Sequence, residues 1–165
     1  MLQCSPMFSR DGIKAMHGWT HDCLDEVISH ASTLSPHLIC LEIPGFGQHS
    51  LRHQLVHILS VEQAWVCGLR GTPSTRLSVD DHSTLASLIE TKRRVAAATI
   101  SYMFEQTEVS LNTVVSILPK EWVGPPRAPA FILLHVITHT FHHKGQMATM
   151  FRILGHPAPD TDLQR

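Results

Sequence analysis

From Ser50 onward, Leu51, Leu55, Ile58, Trp65 and Leu69 recur at threes and fours, with Glu62 completing the series. That period predicts a helix with one buried stripe, ending before Gly71-Thr72-Pro73. A looser stripe of Ile13, Met16, Leu24, Val27 and Ile28 predicts a helix over about 8–34. Ser35-Pro36 ends it, because proline drives the preceding residue out of the α region. A third helix is expected from Asp80-Asp81, whose carboxylates suit the positive end of the helix dipole, through Leu85, Leu88, Ile89, Val95, Ile100 and Met103 to about residue 106. The fourth spans about 131–154 and is closed by Gly155 and Pro157. Between them, LEIPGFGQHS reads as a loop, PKEWVGPPRAPA as a proline-rich connection, and EVSLNTVVSIL fits a strand or a helical turn equally. The pattern predicts one domain over residues 1–165, all-α, folded as an antiparallel four-helix bundle.

Composition narrows the function. The chain has 165 residues, 43% hydrophobic and 16% charged, as an ordinary globular protein does. Thirteen Lys and Arg face fourteen Asp and Glu, and the one basic cluster, Lys92-Arg93-Arg94, reads as a solvated helix face. Without a basic stripe to neutralise phosphates, nucleic acid is not an expected partner. No apolar run approaches ~18 residues and no leader-like segment opens the chain, so neither membrane insertion nor secretion is expected. Cys4, Cys23, Cys40 and Cys67 form no CxxC pair, which fits free thiols in a reducing cytoplasm.

The anomaly is 13 histidines. On the last helix the seam reads Ile132, Val136, His139, His143, Gln146, Met150 and Leu154, apolar at both ends and polar in the middle. Such groups need partners when buried, and a metal ion satisfies two imidazoles at once. His139 and His143 are i,i+4 neighbours on one face. His135/His139 is the competing register, although Val136 suits the core better at that level, and His142 should point elsewhere. On the second helix His49, His53 and His57 also step by four; His57 sits deepest in the periodic region, with a modest edge over His53.

Two motifs then resemble one family. LRHQLVHILSVEQAWV looks like the second-helix pattern of the DinB/YfiT-like family, a histidine followed by a glutamate five positions later and then a tryptophan. THTFHHKGQMATMFRILGHPAPDTDL looks like its last-helix pattern, and the likeness extends more weakly over the chain, Trp19 included. The resemblance implies a four-helix bundle of the DinB/YfiT-like type. It also implies three histidines, His57, His139 and His143, on a divalent metal, zinc or nickel foremost. Lys144 stands where the family more often has arginine.

Three imidazoles leave a coordination position open, and an ion there supplies Lewis acidity toward water, a thiolate or a carbonyl. Gln146 is a candidate to contact a bound ligand or to pack between helices. Glu62 is a candidate to orient a ligand imidazole or to pair with another helix. Trp19 and Trp65 are expected in the core. The readings are a metal-dependent enzyme, either a hydrolase or a transferase using a low-molecular-weight thiol, with Arg52, Lys144 and Arg152 as basic contributors; a non-catalytic metal- or small-ligand-binding stress-response bundle; or a structural bundle. A homodimer is consistent with the resemblance.

Overall fold

The structure, a computed structural model, describes residues 8–115 and 127–162. Cys4, most of the proline-rich connection and Leu163 of the C-terminal motif lie outside the described residues. Among the described residues six helices follow in order: α1 (Arg10–Ala31), α2 (Pro36–Cys40), α3 (Leu51–Arg70), α4 (Leu85–Glu105), α5 (Glu108–Asn112) and α6 (Pro129–Ile153). A 3-10 turn, Asp80–His82, precedes α4. The four long helices form an all-α bundle.

Side-chain caps set the helix starts. Ser9, Ser50 and Thr84 each accept a hydrogen bond from the backbone N–H three residues on, satisfying a donor the helix leaves open. The Thr84 cap corrects the expected start of α4: the aspartates at 80–81 make the 3-10 turn, and the α-helix begins only at Leu85. Ser35-Pro36 does more than end α1. Ser35 caps α2 and Pro36 occupies its first turn, where its missing N–H costs nothing. The start of the ambiguous stretch becomes α5, held by a Thr107/Ser110 capping box, Val115 then makes an isolated bridge to Arg127, and residues 116–118 lie outside the described residues. Gly71 and Gly155, with φ of 65° and 80°, end α3 and α6 in the left-handed region.

Around the bundle, α1 packs on α4 and α6, and α3 packs on the same two, so α1 and α3 face each other diagonally. Gln54 meets Gln146 and His57 meets His139, whereas Trp65 lies on His135, so α3 and α6 run antiparallel. By contrast Arg70, at the end of α3, pairs with Glu105 at the end of α4. These two helices therefore run in the same direction, and segment 71–84 must return along α3. Gln63 Nε2 donates to the Thr75 carbonyl at 2.9 Å and the Leu77 N–H donates to Ser60 Oγ at 3.1 Å, fastening the segment there.

The core has two apolar layers. One joins Leu24, Val27, Leu55, Leu59, Met147 and Phe151; the other joins Ile13, Val66, Tyr102, Met103, Leu133 and Ile137. Between them lies a polar layer containing His17, His21, Glu62 and Thr99, all buried. Two expectations fail at the surface. Trp19 is 53% exposed, because its place on α1 faces away from both neighbouring helices. Lys92 is not part of a solvated face but is buried, its ammonium 2.7 Å from Asp25 of α1, while its stem covers apolar surface.

Candidate metal centre

His57 sits on the second turn of α3, and His139 and His143 lie one turn apart on α6. Antiparallel packing brings all three to one level, with ligand atoms within 4.8 Å of one another. His139 Nε2 is 3.2 Å from His57 Nε2 and 3.1 Å from His143 Nε2. A tetrahedral ion with Zn–N of about 2.0–2.1 Å has N···N edges of roughly 3.3–3.4 Å, so the spacing suits a single cation.

Hydrogen bonding alone does not account for this convergence. The Gln54 amide, fully buried, donates through Nε2 to the Gln48 carbonyl at 2.7 Å and to Gln146 Oε1 at 2.8 Å. A backbone carbonyl only accepts, so this end of the amide must be nitrogen and Oε1 must face His143 Nδ1, 2.6 Å away. His143 therefore carries its proton on Nδ1 and presents a bare Nε2. A neutral imidazole has one N–H, and a nitrogen that donates to one neighbour cannot accept from another. His139 Nε2 can thus satisfy only one of its two contacts by hydrogen bonding; a cation satisfies all three lone pairs.

The electrostatics favour the same state. Burial first, and then the neighbouring imidazoles, lower the His139 pKa to about 3 and that of His143 to about 4. Burial and then the charge of Arg76 shift His57 in the same direction. The three rings are uncharged at neutral pH, the form that coordinates a metal.

The remaining candidates fall elsewhere. His53 bonds Ser50 Oγ and does not join the group. His135 packs edge-on against Trp65, 5.1 Å between centroids, and His142 is exposed and contacts Gln146. Gln146 Oε1 accepts from Gln54, the amide that holds His143, and Gln146 itself stands beside His143. Lys144 turns to the C-terminal segment, its ammonium 2.6 Å from the Thr161 carbonyl. Glu62 does not orient a ring of this group: its carboxylate accepts from His17 Nε2 at 2.8 Å, His21 Nε2 at 3.0 Å and Thr99 Oγ1 at 2.6 Å. Of the two roles expected for it, interhelical pairing is the one the contacts show, and its acceptance of these donors holds its pKa well below the usual carboxylate range despite complete burial.

His17, His21 and Glu62 form a second group whose ligand atoms are close enough to hold a metal ion. Its surroundings suit it less. Both Nδ1 atoms are buried without a partner among the described residues. A metal-bound imidazole ordinarily donates that N–H to an acceptor, as His143 donates to Gln54.

The residues that sequence reasoning passed over are Gln54, His17 and His21. The histidines carried the i,i+4 spacing noticed on α6, and they fill the gap between Met16 and Leu24 in the α1 stripe. Gln54 was legible only as a polar residue one turn from Leu51 and His57.

Comparison with known proteins agrees with this architecture. A crystal structure of a DinB-like protein from Bacillus cereus ATCC 10987 superposes with a TM-score of 0.62 at 20% identity, covering 91% of this chain and 95% of that one. The uncharacterized protein YizA of Bacillus subtilis (strain 168) is 26% identical over 108 residues, 66% of this chain and 67% of its own length. The sequence profile of the DinB family matches residues 31–165, which include α3, α6 and all three converging histidines. The chain belongs to the DinB family.

Proposed function

We propose that this protein binds a divalent metal through His57, His139 and His143 and uses it in a reaction on a small molecule. The observation that carries the reading is the approach of three Nε2 atoms, one of them held bare by Gln54. Three neutral imidazoles suit zinc or nickel, and a three-ligand set is that of an open rather than a closed site. The ion would supply Lewis acidity there.

The chain's own residues favour transfer over hydrolysis. A hydrolase needs a general base beside the reacting group, yet the buried carboxylate of Glu62 is committed to His17, His21 and Thr99. A transferase using a low-molecular-weight thiol needs only that the thiol reach the centre with its proton lost to solvent or to the leaving group. Gln54 fixes the orientation of His143, and burial keeps the rings neutral at working pH.

The test is a panel of ester, amide and thiol-conjugation substrates, run with metal-depleted and metal-reconstituted protein. Metal-dependent turnover of a thiol-conjugation substrate is expected. Equal rates with and without metal throughout the panel would replace this reading with that of a non-catalytic metal-binding bundle.

A further inference from the structure

Beside His57, between the first two turns of α3 and the returning segment 76–80, lies a cleft of about 450 Å³, a size suited to a small metabolite. Arg52 and Arg76 both line it, with His53 and Ser78. Position 76 is fixed rather than incidental, because the Thr75 and Leu77 hydrogen bonds to α3 bracket it on either side. Arg76 and His57 line the same cleft.

Among the described residues, four other arginines have polar neighbours. Arg70 is paired in two hydrogen bonds of 2.7 Å with Glu105, Arg10 and Arg93 lie near carboxylates, and Arg94 donates to Gln63. Neither Arg52 nor Arg76 has an ion-pair partner among the described residues, and the Nε of Arg52 is buried without an acceptor. Asp80, exposed at the rim, offers the cleft one carboxylate against two guanidiniums. Two guanidiniums lining one cleft create a positive potential that an anion relieves.

We propose that this cleft is an oxyanion subsite, and that the molecule reaching the metal centre is a small anion whose carboxylate or phosphate is held by Arg52 and Arg76. The proposal rests on the metal reading for its second half; the anion subsite itself does not need the ion. Guanidinium groups match planar carboxylates and phosphates through paired N–H donors, so the site selects by charge and shape together.

Three thiols of similar length and different charge test it on cobalt-loaded full-length protein, with binding followed by the visible absorption of the metal. 3-Mercaptopropionate is expected to bind ~10-fold more tightly than 2-mercaptoethanol at low salt, with cysteamine weakest, and the advantage should shrink as salt is added. Arg52→Gln and Arg76→Gln should each lower that advantage by roughly 3- to 10-fold while leaving 2-mercaptoethanol affinity in place, and Arg76→Glu should favour cysteamine. Equal binding of all three thiols, or an undiminished advantage in both glutamine variants, would overturn the proposal.

A second arm titrates metal-free protein with glutarate and with inorganic phosphate by calorimetry, which also separates the two oxyanions. Binding that both glutamine variants lose supports the subsite even if cobalt does not bind. Absence of anion binding with and without cobalt overturns the subsite while leaving the metal centre standing.

Discussion

His139 and His143 on α6 and His17 and His21 on α1 share the i,i+4 spacing, and each pair meets one residue of α3. The two groups are nevertheless built in opposite senses. Around Glu62 of α3, N–H and O–H donors from α1 and α4 converge on a carboxylate, and the charge is satisfied by the chain itself. Around His57, lone pairs converge on one another, and the ring hydrogen that matters is drawn away to Gln54. The first arrangement closes a polar layer between two apolar ones, joining α1 to α3 across the bundle diagonal. The second is, on the proposed reading, a ligand set that a cation completes. What distinguishes a clasp from a ligand set is thus the direction of the protons, which neighbouring amides and carboxylates decide.

The largest expected effect falls on the clasp. Glu62→Leu leaves the buried His17 and His21 donors without an acceptor, Thr99 keeping the Val95 carbonyl, and should lower stability to urea by about 3–5 kcal/mol, while metal affinity stays unchanged. Loss of metal with stability intact would invert the comparison. Next, Gln54→Leu removes the acceptor that fixes His143 and should weaken zinc binding ~10- to 100-fold in a chelator competition, with Gln54→Glu restoring part of it.

The pH response is a third difference. His139 and His143 are neutral well below the ordinary 6.5, so protons begin to displace metal only as pH falls toward their pKa values of about 3 and about 4. Proton competition at these two rings should therefore leave metal affinity nearly unchanged from pH 8 to about pH 5, and any earlier loss reports His57, whose pKa is lowered by burial and then by Arg76. Stability of the metal-free protein moves the same way. Below pH 6.5 the unfolded chain takes up protons that the folded rings refuse, so stability falls as pH drops toward about 4. Glu62, whose folded pKa lies below its ordinary 4.5, adds a further loss as pH falls below that value. Urea titrations at stepped pH check both signs. The smallest effects belong to His53→Ala and His142→Ala, which lie outside the converging group and should change zinc affinity by less than about 3-fold.

The bundle was legible because its stripes and stops are local. Leu51, Leu55 and Ile58 mark the buried face of α3, and Ser50, Gly71 and Gly155 mark helix ends by conformations that sequence alone dictates. His139 and His143 stood out as polar positions in an otherwise apolar seam. What escaped is non-local. The parallel run of α3 and α4 follows from where segment 71–84 is fastened, and no periodicity encodes that. Glu62 interrupted a stripe visibly, yet its partners lie 45, 41 and 37 residues away, so the choice between the two histidine groups required the fold. Lys92 looked solvated inside a basic triplet because its partner, Asp25, belongs to another helix.

The central claim is that lone pairs at His57, His139 and His143, rather than the group around Glu62, hold the metal. Elemental analysis by mass spectrometry of untagged protein, purified and then equilibrated with zinc, tests it directly. The account predicts a single equivalent of zinc per chain in the wild type and in His17→Gln/His21→Gln, and none in His139→Ala/His143→Ala. Full zinc occupancy in His139→Ala/His143→Ala, or its loss in His17→Gln/His21→Gln with the fold intact, would contradict it.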